Sequence, residues 1–158
     1  MLFNKILYSP DVSLKIALIF PTDFDMNQIK SIFTSTCNSL GLQQKLISYP
    51  ISFNDSRQAL KNIETSIAKE CENGSANMFW FIIPPNFKSY YKNLKQMTLK
   101  AGVDKNSQIA VTSTLQKKGV NSIITKILLQ MAAKVGNKLW VPKIPSRVFN
   151  CGVLLIGI

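Results

Sequence analysis

The stretch "MFWFIIPP" (residues 78–85) contains no polar side chain. An apolar run this short, rich in aromatic and β-branched residues and closed by proline, predicts a strand rather than a helix. Because it shows no alternation of apolar and polar residues, neither of its faces can meet water. Strands of that kind belong to parallel sheets covered on both sides by helices. The flanking sequence must therefore supply further strands and two layers of helix.

It does so in alternation. Towards the N-terminus, "SRQALKNIETSIAKECENG" (56–74) predicts a helix, with Ser56 as cap, Leu60, Ile63 and Ile67 as its apolar face, and Gly74 as its stop. Before it come a short strand, "KLISYP" (45–50), a helix capped by Asp25 over 25–42, and the strand "SLKIALIFP" (13–21). Towards the C-terminus, "NFKSYYKNLKQMTLKAG" (86–102) predicts one helix running from an Asn86 cap to a Gly102 stop. The strand "SQIAVTS" (107–113) and the strongly apolar helix 119–136 follow. Each proline in "KLWVPKIPSR" (138–147) biases its predecessor away from helix, so this segment is expected to be extended. A last apolar strand is expected in "NCGVLLIGI" (150–158). Strands alternating with helices through short connections predict an α/β fold, a Rossmann-like parallel sheet with helices on both faces. Ligands of such folds are expected beyond the carboxyl ends of the strands.

Composition narrows the chemistry. Apolar residues make up 46% of the 158, enough for one packed domain. No apolar run approaches the roughly 18–20 residues of a membrane span, and "MLFNKILYSP" is too short and interrupted for a signal peptide. The three cysteines, Cys37, Cys71 and Cys151, form no C-x-x-C pair, as expected of a protein in a reducing, intracellular compartment, nuclear or cytoplasmic. Histidine is absent, which removes the usual general base and metal ligand. Neither G-x-G-x-x-G nor G-x-x-x-x-G-K occurs.

The charge is unevenly placed. Residues 1–85 are neutral overall, and the whole excess of +11 falls in residues 86–158, where Asp104 is the one acidic residue. That asymmetry fits a surface meeting a polyanion, or else a solvated lysine face. On helix 86–102 the apolar arc is Phe87, Tyr90, Leu94, Met97, Thr98 and Ala101, with Tyr91 at its edge and Lys95 one turn on. A phenol beside an ammonium can stack a base and hold a phosphate, or can be an ordinary helix border. On helix 119–136 the core arc is Ile123, Ile124, Ile127, Leu128, Met131 and Val135. The row Lys126, Gln130 and Lys134 slants across it, so Lys134 reaches the apolar arc, where it must snorkel or meet an anion.

Together these residues resemble the Piwi clade of the Argonaute family. "NFKSYYKNLKQ" is similar to the family segment after the third strand, with its Y-x-x-x-K. "SQIAVTSTL" resembles S-Q-x-V-x-x-x-T-L, and "ITKILLQMAAKVGNKLW" resembles T-K-I-x-x-Q-M-x-x-K-x-G-G-x-x-W. "IPSRVFNCGVLLIGI" resembles I-P followed by an apolar strand ending G-I-D. The matches cover residues 81–158 in order, whereas residues 1–80 agree in outline alone.

The resemblance implies a MID domain over residues 1–145, which anchors the 5′-phosphorylated end of a small guide RNA, and the first strand of a PIWI domain over 146–158. It implies that Tyr91 stacks on the first base, and that Lys95, Gln108 and Lys134 bind the 5′ phosphate with Tyr91. Gln130 stands where Argonautes outside the Piwi clade carry another lysine, and with Lys126 it would make secondary contacts. The loop of Asn86, Phe87, Lys88, Ser89 and Tyr90 would face the first base. Mg²⁺, with Gln108 as its candidate ligand, would help neutralise the phosphate. Implied partners are the guide RNA and the remainder of a Piwi protein, with no membrane. No catalysis is expected, because the family's acidic catalytic residues belong to the PIWI domain. The family's second glycine is Asn137 here, and asparagine's tolerance of positive φ is expected to preserve the turn. Simple parallel geometry raises a contrary expectation. Gln108 begins a strand, Lys134 ends a helix and Tyr91 begins one, so these ends should lie apart. A rival reading is a domain binding a nucleotide or phosphosugar without RNA specificity.

Overall fold

The computed structural model describes residues 12–137. The extended segment 138–147, the strand 150–158, Cys151 and the boundary at 145/146 lie outside the described residues. Four strands, β1 (Leu14–Pro21), β2 (Gln44–Ile51), β3 (Met78–Ile83) and β4 (Ser107–Val111), form one sheet in the order β2-β1-β3-β4. Every pairing is parallel. The expected α/β, Rossmann-like architecture is what the chain adopts.

The all-apolar run occupies the centre. All six residues of β3 are buried. Met78, Trp80 and Ile82 face one core, while Phe79, Phe81 and Ile83 face the other. The alternation comes from the two-residue period of a strand. The first core is closed by α1 (Asn27–Ser39) and α5 (Val120–Lys134), through Ile29, Phe33, Ile124, Leu128 and Met131. The second is closed by α2 (Ser56–Asn73) and α3 (Tyr91–Lys100), through Ala59, Ile63, Ile67 and Leu94. Trp80 packs on Phe33 with ring centroids 5.5 Å apart. Among the described residues no helix is long and apolar enough to cross a membrane.

Several local expectations are corrected. The cap of α2 is Asp55 rather than Ser56. Its carboxylate accepts from the backbone N–H of Arg57 at 2.9 Å and of Gln58 at 3.2 Å. Gly74 does end α2, in the left-handed conformation at φ 60°. Helix 86–102 is two elements. A 3-10 helix covers Pro85–Tyr90, and the α-helix begins only at Tyr91, so Asn86 caps nothing. Proline at the first position suits the tight turn, and burial of Phe87 against Phe53 and Tyr90 holds it there. Strand 107–113 stops at Val111, where a one-turn helix, α4 (Thr112–Leu115), tucks Leu115 into the core.

Asn137 works differently from the expected turn residue. The positive φ falls on Gly136 at 98°, and among the described residues no other residue type adopts one. The Asn137 side chain instead accepts from the Val12 N–H and donates to the Val12 carbonyl, both at 2.9 Å. Elsewhere too a buried polar side chain is matched, although among the described residues Trp80 Nε1 has no hydrogen-bond partner. Glu70, 2% exposed, accepts from the Tyr49 hydroxyl and from Ser75 Oγ. Burial, then Glu70, pushes the Tyr49 phenol up to about 12. Cys37 is buried and its thiol is pushed up to about 12 by that burial, so it acts as a small apolar residue.

The cap assignment is open to direct measurement. Asp55→Ala should cost about 1 kcal/mol of unfolding free energy and Ser56→Ala less than about 0.5 kcal/mol, read from urea midpoints. The reverse order would restore Ser56 as the cap.

Candidate anion site

β4 starts level with the second residue of β3, since Ser107 pairs with Phe79. Both helices flanking that point return towards the amino end of the sheet. The chain leaving β3 passes through extended Pro84 and then spends six residues, Pro85–Tyr90, in 3-10 form. That form rises about 2.0 Å per residue against about 1.5 Å for an α-helix. Tyr91 therefore begins α3 already well below the carboxyl edge. Lys95, one turn further, reaches the start of β4, and Lys134 arrives there as the last residue of α5.

The ends expected to lie apart are thereby brought together. Lys95 Nζ donates to Ser107 Oγ at 2.9 Å. Lys134 Nζ donates to the Ser107 carbonyl at 2.7 Å and to Gln108 Oε1 at 2.9 Å. Gln108 Nε2 donates to Gln130 Oε1 at 3.0 Å. The Tyr91 ring, 49% exposed, lies beside Lys95 with its centroid 5.9 Å from Nζ. Tyr91, Lys95, Gln108, Gln130 and Lys134 thus form one contiguous cluster. It sits at the amino end of β4, not beyond the carboxyl ends where the fold class led one to look.

The other candidates fall elsewhere. Lys126 is exposed on α5, roughly 12 Å from Lys134 along the helix axis, outside the cluster. In the loop, Phe87 is 1% exposed and its ring faces the core, while Asn86, Lys88 and Ser89 are exposed and Tyr90 is partly buried. Sequence reasoning missed Ser107. A small polar residue at the head of a strand carries no periodic signal, and its importance rests on lysines 12 and 27 residues away.

The acceptors holding the two ammonium groups are a hydroxyl, a carbonyl and an amide oxygen, all of them neutral. Burial lowers the Lys95 pKa, opposed by the nearby Asp104 carboxylate. Burial also lowers that of Lys134, and the charge of Lys95 lowers it further. Lys134 remains exposed overall, so solvent screens much of this repulsion. An anion placed between the two would offset it. As for a cation, the described residues contain no group of three or more His, Cys, Asp or Glu. Gln108 Oε1 already accepts from Lys134, so a lone amide oxygen beside two ammonium groups does not fit a resident Mg²⁺.

The depressed pKa values have a defined sign. Unfolded lysines keep their protons up to about 10.5, so between the folded and unfolded values the unfolded chain binds more protons. The contribution of these two groups to stability should rise as pH climbs through that window. In an NMR titration, Lys95 and Lys134 should lose their protons below the ordinary lysine range, and inorganic phosphate should shift both back upward. Titration of both within the ordinary lysine range would contradict the geometry.

No family model matches the chain. Piwi-like protein 1 of zebrafish, Danio rerio, is 30% identical over 110 residues, covering 68% of this chain and 12% of that protein. The chain thus spans about an eighth of the length of the curated relative it matches. The shared sequence supports a Piwi/Argonaute relationship for this chain.

Proposed function

We propose that this chain is a MID-type module that binds the 5′-phosphorylated end of a small guide RNA, as part of a Piwi-like silencing protein, with no catalysis of its own. The observation that carries the reading is the convergence of Lys95 and Lys134 on Ser107 at the head of β4, with Lys134 also held by the neighbouring Gln108. A terminal phosphate brings about −1.5 to −2 charges at pH 7 and three acceptor oxygens. Two partly desolvated ammonium groups with neutral partners match that charge, and the Gln108 amide, oriented by Gln130, adds directional polarity. The exposed Tyr91 ring offers a stacking surface for the first base, next to the cation it already contacts. The +11 excess confined to residues 86–158 supports an extended polyanion over a small phosphosugar. The similarity to a Piwi-like protein points the same way.

Within this reading the exposed loop residues Asn86, Lys88 and Ser89 lie ahead of Tyr91 and border the first base, while Phe87 shapes the loop from the core side. The remaining partner is the PIWI portion of the parent protein, and the setting is intracellular.

Fluorescence anisotropy should show tighter binding of 5′-phosphorylated than of 5′-hydroxyl RNA of the same sequence. Lys95→Ala and Lys134→Ala should each weaken the phosphorylated form roughly 10- to 100-fold, the range expected for charged hydrogen bonds. The preference should fade below about pH 6, where the phosphate takes up a proton, and again at alkaline pH as the lysines lose theirs. Equal affinity for both ends would overturn the reading. Full competition by a free nucleoside monophosphate, independent of RNA length, would favour the small-ligand alternative.

A further inference from the structure

We propose that Ser107 is the positioning residue for Lys95, and for Lys95 alone, at the anion site. The inference rests on the 5′-phosphate reading above and adds a residue to it.

Ser107 is 0% exposed and held in register with Phe79 of the central strand, so it moves little relative to the sheet. Its hydroxyl has one hydrogen, and that hydrogen is donated to the Asp104 carbonyl at 2.9 Å. The oxygen therefore offers only lone pairs to its other neighbour, Lys95 Nζ, also at 2.9 Å. Rotation of the hydroxyl would break the bond to Asp104, so the acceptor direction is fixed. An ammonium has three donors. Ser107 takes one of those on Lys95 and leaves two directed elsewhere, so it orients the cation without saturating it. Lys134 meets the same residue differently, at the backbone carbonyl, which any amino acid would provide, and at the neighbouring Gln108. The Ser107 side chain thus governs one of the two cations. Its backbone serves the other.

A double-mutant cycle separates this role from simple structural support. Ser107→Ala should weaken 5′-phosphorylated RNA about five-fold, the worth of one ordinary hydrogen bond, and leave 5′-hydroxyl RNA unchanged. In a Lys95→Ala background the same change should cost less than about two-fold, whereas in a Lys134→Ala background it should again cost about five-fold. Ser107→Cys, nearly isosteric but a poor acceptor, should reproduce the alanine result; serine-like binding by the cysteine variant would show that alanine acts through the turn at Asp104 and would overturn the proposal. Equal losses in both lysine backgrounds would overturn the proposal. So would tighter binding by Ser107→Ala, which would make Ser107 a competitor of the phosphate. If the unaltered chain itself shows no preference for the 5′-phosphate, the functional reading fails. The link is then read from the Lys95 ammonium signal in NMR. A shift in Ser107→Ala without a matching shift at Lys134 sustains it, and an unchanged signal ends it.

Discussion

Strand β3 has no face to give to water. All six of its residues are buried, three towards each side, and each side needs a helical layer of its own. Apolar burial contributes roughly 25 cal/mol per Å², so leaving either face bare would forfeit several large side chains' worth of stabilisation. Two covered faces require crossover connections, crossovers keep neighbouring strands parallel, and parallel strands send every helix back towards the amino edge. The meeting of α3 and α5 at the head of β4 follows from that sequence of constraints. The cluster of lysines is thus a consequence of where a hydrophobic strand must sit.

The polar chemistry is superimposed on this frame at small cost. Ser107 accepts from both ammonium groups, Gln108 accepts from Lys134 and Gln130 accepts from the Gln108 amide, without any carboxylate in direct contact. A carboxylate there would have lowered the energy of the free protein and cancelled the field an anion would sense. The arrangement leaves cationic charge only partly balanced, with Asp104 acting at longer range on Lys95. Positive charge held in place by neutral acceptors is pre-organised for an anion, since little must move or be released when one arrives.

Much of this fold was legible in the residues. Apolar runs closed by proline marked β1, β2 and β3, and helical spacing marked α1, α2 and α5. What escaped was local or non-local in instructive ways. Asp55 and Ser56 are adjacent and both good caps, so pattern alone could not separate them. Phe87 and Tyr90 are three apart, a spacing shared by 3-10 and α-helices, so the change of helix type at Tyr91 left no trace in the pattern. That change mattered most, because the longer rise of the 3-10 segment places Tyr91 and Lys95 near Ser107. Of the candidate site residues, five converge and Lys126 does not. Its equal spacing with Gln130 and Lys134 described a row along one helix, whereas the cluster is defined by the head of a strand.

The bonds between Asn137 and Val12 join residues 125 apart in sequence. The polypeptide therefore enters and leaves the described fold at a single point, like a bead whose two threads emerge from one hole. A unit of that shape transmits little leverage to whatever is attached on either side, and a longer polypeptide can carry it as an insertion with only a short gap to bridge. Tension between the two threads would load one asparagine side chain before it loaded the sheet.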